Sequence, residues 1–157
     1  MTARALRATT ALTLVASLLA WDSLSRAAAQ MAIIVRRDNP VRDLSLATLR
    51  RLYLGQTTTF SNGERVVLLE YTPLQATFYR KALGMSPELV HRHWIGLVFQ
   101  GEDAMPPQPM NDDESVKRFV AEHPGAIGFI DLRTVDPTVK VLTVNGRAPG
   151  DANYPLR

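Results

Sequence analysis

A threonine–proline junction that follows an apolar run has the residue types best suited to ligand binding in this sequence. Residues 66–69 predict a buried strand, and a helix is predicted to begin almost at once, at Thr72. Thr72 and Gln75 fit a capping box with Pro73 at the first helical position. Such a junction places backbone N–H groups at the carboxyl edge of a sheet, where ligands of open α/β folds bind. Ordinary helix capping explains the same residues at least as well, and Glu70 would repel an anion there.

Histidines and carboxylates give only weak indications of catalysis. His91 and His93 are two residues apart, so on a helix they point roughly 200° apart and cannot hold one ion. We expect one to be exposed and the other to pack beside Trp94. His123 lies at a predicted helix end, where a cation suits the helix dipole, and the acidic run 112–114 suits the first turn of a helix. An enzyme is therefore not expected, and a hydrolase using His123 or this acidic run is the least favoured function.

Apolar periodicity predicts strands that alternate with helices. The predicted strands are residues 32–35, 66–69, 126–130 and 139–144. Helices are predicted to begin at Ser45, at Thr72, at Ser86 and at a capping box of Asn111 with Glu114, and the segment 101–110 is predicted to be a surface loop. This alternation predicts one α/β domain over residues 30–157, with three layers and a mostly parallel sheet.

Residues 1–29 have the pattern of a secretory signal peptide. Arg4 and Arg7 precede an apolar stretch of 14 residues, 8–21, which is shorter than the ~20 residues of a membrane-spanning helix. The alanines 27–29 predict cleavage before Gln30. We expect export to the periplasm, or less favourably secretion, with a retained membrane anchor as the alternative.

The charge of the chain lies largely in that first segment. Without residues 1–29, 15 basic and 14 acidic side chains remain, a net charge of +1. A chain so balanced is not expected to bind nucleic acid or an anionic membrane. The sequence has no cysteine, which excludes disulfides, thiol catalysis and cysteine-ligated metals.

Three segments resemble, in order, the phosphate-binding proteins that serve phosphate ABC transporters. Residues 44–58, LSLATLRRLYLGQTT, are similar to the family segment L-s-l-x-x-L-r-x-I-F-x-G-k-x-t, and Asn39-Pro40-Val41 before them also fits. Residues 125–129, GAIGF, resemble the family's G-a-I-G-Y strand, and residues 154–156, YPL, resemble its closing Y-P-L. The resemblance implies a type 2 periplasmic-binding-protein fold and extracytoplasmic solute binding.

The sequence departs from this family in two respects. Family members close a ligand between two lobes, whereas 128 residues suffice for about one, so the resemblance implies an isolated second lobe. The family's phosphate loop, an Arg or Ser followed by D-G-S-G-T, corresponds here to residues 70–77, where only Thr72 matches in kind. The glycines that let the backbone approach phosphate are absent, and Pro73 removes an N–H donor.

These observations predict a non-enzymatic, single-lobe periplasmic protein that binds a small anion weakly, with phosphate as one candidate. Thr72, Gln75 and Thr77 are the predicted ligand residues, with Ser45 and Arg80 as further candidates. No cofactor and no metal are expected, and a homodimer would supply a second wall to the site. The alternative is an interaction module that contacts a membrane sensor or transporter and binds no solute.

Overall fold

The structure is a computed structural model that describes residues 30–157. The predicted signal peptide, its cleavage site and the export inferred from them lie outside the described residues. Within residues 30–157, no helix is both long enough and apolar enough to cross a membrane.

Strands and helices alternate along most of the described chain. In chain order they are β1 (Met31–Arg36), β2 (Asp43–Leu44), α1 (Leu46–Tyr53), β3 (Val67–Tyr71), α2 (Gln75–Phe78), α3 (Pro87–Phe99), β4 (Gln108–Met110), α4 (Asp113–Glu122), β5 (Ala126–Asp131) and β6 (Val139–Val144). A 3₁₀ turn, Thr72–Leu74, precedes α2, and a π-helical turn, Tyr79–Leu83, continues it.

The six strands form one sheet in the order β2-β6-β1-β5-β3-β4. Only β1 runs against its neighbours: Ile33 lies opposite Phe129 of β5 and Leu142 of β6 in antiparallel register. The pairs β2–β6, β3–β5 and β3–β4 are parallel, so the expected mostly parallel sheet is confirmed. We call the edge at which the five co-directional strands end the carboxyl edge. The opposite edge, where β1 ends, is the amino edge.

Helices cover both faces of this sheet, which confirms the predicted three layers. Successive residues of a strand point to opposite faces, so Ile33 and Val35 enter one apolar core with α1, α2 and α3. Ala32 and Ile34 enter a second core against α4. All four side chains are fully buried. The continuous apolar run of β1 is therefore explained by its position between two helical layers.

Local sequence signals set several of the helix ends as predicted. Ser45 Oγ accepts the Thr48 N–H at 3.0 Å and begins α1, and Ser86 caps α3 in the same way. Gly84 takes a φ of 68° and ends the helical segment that began with α2. Gly55 has a φ of 69° after α1, and a Cβ there would lie only 2.9 Å from the Trp94 ring, so a larger residue would meet both strain and a clash.

The start of α4 and the loop before it differ from the prediction. The capping box of Asn111 with Glu114 is wrong, because Asp112 is the cap and its Oδ1 accepts the Ser115 N–H at 2.7 Å. The Glu114 carboxylate instead pairs with Lys117. The predicted loop 101–110 contains the edge strand β4, whose three residues are too few to show a period of two. An edge strand also tolerates a proline such as the one at position 109.

Candidate functional site

The threonine–proline junction lies at the carboxyl edge, where β3 ends. Gln75 Nε2 donates a hydrogen bond to Glu70 Oε1 at 2.8 Å, and the Tyr79 hydroxyl donates to Glu70 Oε2. The predicted capping box of Thr72 with Gln75 is therefore wrong: no side chain caps this helix start, and the Gln75 amide bonds to a carboxylate, the stronger acceptor.

Few backbone donors are available at this junction. The helix starts with the single 3₁₀ turn, in which Pro73 has no N–H and the Gln75 N–H donates to Thr72 O. A regular α-helix leaves its first four N–H groups without an intrahelical partner. The junction consequently offers an anion fewer donors than a regular helix N-terminus would.

Negative charge surrounds the end of β3. Burial first, and then the carboxylates of Asp113, Asp131 and Asp112, raise the pKa of the Tyr71 hydroxyl. Burial and the adjacent Glu70 carboxylate raise the pKa of Tyr79 much further. A carboxylate that raises a tyrosine pKa would also oppose an incoming anion, so this part of the carboxyl edge is electrostatically unfavourable for phosphate.

The five predicted ligand residues are not brought together. Thr72 and Gln75 lie within the same turn of chain, but Thr77 follows Gln75 by two residues and therefore projects from a different side of the helix. Arg80 is exposed on the π-helical turn. Ser45 follows β2, four strand positions from β3 and thus about 19 Å away along the sheet, and its hydroxyl caps α1.

The histidines have structural partners. His91 is exposed, whereas His93 bonds to Leu54 O through Nε2 at 2.8 Å and lies edge-on to Trp94, as predicted. His123 bonds through Nδ1 to Phe119 O at 2.9 Å and stacks on the Phe119 ring. Within residues 30–157, no three histidine or carboxylate side chains converge to hold a metal ion. None of these histidines contacts a carboxylate that could orient it as a general base.

A second concavity lies at the amino edge, and the sequence reasoning missed it. This basic pocket, about 570 Å³, is formed by the turn after β1 and the start of β6, and its charged and polar walls are Arg37, Asp38, Asn39, Arg42 and Lys140. Three arginines within residues 36–42 could have indicated it. Lys140 joins them only because β6 pairs with β1, which places Lys140 opposite Val35.

Helix α3 has an exposed apolar face. Val98 and Phe99 are 57% and 89% exposed, and Leu89, Ile95 and the nearby Met105 are also exposed. We call these five residues the α3 stripe. Scattered single apolar residues are normal on a protein surface, but four exposed apolar side chains on one helix, with Met105 in the loop after it, are typical of a contact with another protein.

The α/β fold with its mostly parallel sheet is similar to part of several solved proteins. No model of a known protein family matches the chain. The fold is similar to that of a Clostridium perfringens protein assigned as the substrate-binding component of a phosphate ABC transporter and solved with bound phosphate. That match has 21% identity and a TM-score of 0.63, and covers 76% of this chain and 46% of the other.

Two further solved structures have the same likeness. An ABC-type phosphate transport receptor from Vibrio cholerae matches at 20% identity and a TM-score of 0.64, over 81% of this chain and 53% of the receptor. PstS from Borrelia burgdorferi matches at 11% identity and a TM-score of 0.60, over 76% of this chain and 49% of PstS. At such identities the likeness is one of fold, and this chain spans about half the length of each relative.

Proposed function

We propose that this chain is a non-enzymatic solute-binding lobe of the phosphate ABC transporter type, acting outside the cytoplasmic membrane in the recognition of a small anion. The fold likeness carries the proposal, because two solved phosphate-transport proteins match 76% and 81% of this chain, and PstS from Borrelia burgdorferi matches 76%. The secretory pattern of residues 1–29 supports the periplasm as its location.

The carboxyl edge of β3 is the place where such a lobe would contact its solute. The Thr72 hydroxyl and the Gln75 amide lie in the turn that follows β3, Thr77 and Arg80 lie farther along the helix, and Ser45 lies farther along the edge. One wall leaves the ligand in water, and Glu70 already accepts the hydrogen bond of Gln75. We therefore expect weak binding by a single copy, and stronger binding where a second copy or a transporter subunit closes the site.

The alternative function, an interaction module that binds no solute, is favoured by a separate observation. The α3 stripe exposes apolar side chains whose burial against a partner would release ordered water. A membrane sensor or transporter is the expected partner class. In that case the fold is retained as a scaffold, and the carboxyl edge needs no ligand.

Titration with inorganic phosphate, sulfate and acetate distinguishes these functions. In a Trp21→Phe background Trp94 is the single tryptophan of the chain, so its fluorescence can be followed alongside calorimetry. The proposed function predicts saturable binding that the double variant Thr72→Ala/Gln75→Ala weakens. The matched control is Thr59→Ala/Gln100→Ala, which removes one exposed threonine and one exposed glutamine elsewhere.

Absence of saturable binding below millimolar concentrations would favour the interaction module. Binding that survives Thr72→Ala/Gln75→Ala would mean that the anion is held elsewhere. Light scattering at high protein concentration tests the homodimer, and a strict monomer would leave the second wall to a different chain.

A further inference from the structure

We infer that the basic pocket at the amino edge is a binding site for a small inorganic oxyanion such as phosphate or sulfate. This inference does not rest on the proposed function. The pocket lies at the opposite edge of the sheet from Thr72, about 17 Å away along the length of β1. Two observations support the inference: positive charges without carboxylate partners, and a concavity that these positively charged side chains line.

Positive charge exceeds negative charge in this pocket. Asp38 is the only acidic side chain in its wall, and Arg36 holds that carboxylate at 2.6 Å. Among the described residues, no carboxylate lies within ion-pair distance of Arg37, Arg42 or Lys140. An oxyanion would therefore compensate charges that the protein itself leaves without a partner.

Two of the three cations bond to neutral backbone acceptors. Arg37 Nη1 donates to Pro137 O at 3.0 Å, and Lys140 Nζ donates to Asn39 O. Burial first, and then the positive charge of Arg42, lower the pKa of Lys140, while the Asp38 carboxylate opposes them without reversing the shift. The positive charges of Arg42 and Lys140 repel each other. A dianion bound between them would attract both side chains and offset that repulsion.

Asn39 fixes the turn between the two arginines. The residue is 5% exposed, and its Oδ1 accepts the Val41 N–H at 2.9 Å, which assigns the other side-chain atom as Nδ2. Nδ2 has no hydrogen-bond partner in the described structure. Nδ2 is itself closed off from the pocket, so Asn39 acts by holding the turn that carries Arg37 and Arg42 rather than by touching the anion.

The fold explains why these groups meet. Asn39-Pro40 turns the chain between β1 and β2, because the residue before a proline is excluded from helical angles. That turn brings Arg37 and Arg42 to the two ends of a short segment. The antiparallel pairing of β1 with β6 then places Lys140 beside it. Two arginine forks and one ammonium group suit an oxyanion better than an apolar ligand.

The test is a calorimetric titration of the full chain with inorganic phosphate and with sulfate, at low ionic strength, with sodium chloride as the salt control. The test variant is Arg42→Gln/Lys140→Gln. The matched control Lys81→Gln/Arg147→Gln removes the same two charges from exposed positions away from the pocket. We expect the test variant to lose about tenfold or more in affinity, and the control to lose less than about twofold.

An equal loss of affinity in both variants would mean that only net charge matters, and it would overturn the inference. Unchanged binding in the test variant, or no saturable binding by the unmodified protein, would also overturn it. Thr72→Ala/Gln75→Ala separates the two proposals: loss of binding there, with binding kept in Arg42→Gln/Lys140→Gln, retains the proposed function and rejects the basic pocket. Amide NMR shifts of the unmodified protein give a readout independent of variant folding. Phosphate should move the signals of residues 37–42 and the Asn39 side-chain amide, and shifts confined to residues 72–77 would contradict the inference.

Discussion

The two edges of the sheet differ in what their polar groups already bind. At the carboxyl edge, Gln75 and Tyr79 both donate to Glu70, and Arg133 pairs with Asp131. At the amino edge the basic pocket is lined by Arg37, Arg42 and Lys140, none of which has a carboxylate partner among the described residues. A sequence pattern that starts a helix predicts where donors lie, but the acceptors nearby decide whether those donors are free for a ligand.

The largest effect is expected from removing the acceptor at the carboxyl edge. Glu70→Ala leaves the buried Tyr79 hydroxyl and the Gln75 amide without their partner, so the free energy of unfolding should fall by about 1–3 kcal/mol. Urea denaturation measures this against Glu102→Ala, an exposed glutamate without a hydrogen bond to its side chain. Equal stability of the two variants would show that the Glu70 contacts are not part of what stabilises this edge.

The substitution Glu70→Gln sharpens the comparison of the two edges. It removes the negative charge but keeps an acceptor, so phosphate binding at Thr72 and Gln75 should strengthen by roughly fivefold, about 1 kcal/mol. Calorimetry in the Arg42→Gln/Lys140→Gln background isolates this edge from the basic pocket. An unchanged affinity in that background would mean that Glu70 is not what weakens anion binding there.

Local sequence predicts most of the helices and strands, but it does not predict the two short outer strands of the sheet. The apolar runs around Ile33 and Leu68 and the serine caps at positions 45 and 86 act within a few residues, and these elements form as predicted. The strands β2 and β4 have two and three residues, too few for a periodic signal. They are strands because a neighbour in the sheet supplies their hydrogen bonds.

The polar partners of the site depend on the folded chain. Gln75 and Tyr79 lie five and nine residues after Glu70, and only the 3₁₀ and π-helical turns around α2 bring all three together. Lys140 reaches Asn39 across 101 residues, through strand pairing. The sequence offered only a capping pattern near Thr72 and a count of charged residues, and neither of these predicts such contacts.

The titration of Lys140 tests the electrostatics of the amino edge. The pKa of this group is lowered in the folded state, so the folded protein releases its proton at a lower pH than the unfolded chain does. Stability should therefore rise as the pH increases from the folded-state pKa of Lys140 towards its ordinary value of 10.5. Arg42→Gln should raise the pKa of Lys140 and flatten this rise, and phosphate should do the same. NMR of the lysine side chain across the alkaline range measures it, with Lys81 as an exposed internal control.

The smallest expected effect is at Tyr71, which reports the charge of the carboxyl edge as Lys140 reports that of the amino edge. Burial raises the Tyr71 pKa most, and among the three carboxylates that also raise it Asp113 has the largest effect. Asp113→Asn should therefore lower the Tyr71 pKa, though not to its ordinary value, because burial and the other two carboxylates remain. Ultraviolet titration of tyrosinate detects the change, and Tyr71→Phe identifies the transition. Asp113→Asn could leave the Tyr71 pKa unchanged while Arg42→Gln moves the pKa of Lys140. In that case the carboxyl edge is less negative than its side chains suggest. The weak anion binding expected at that edge would then be explained by its missing N–H donors.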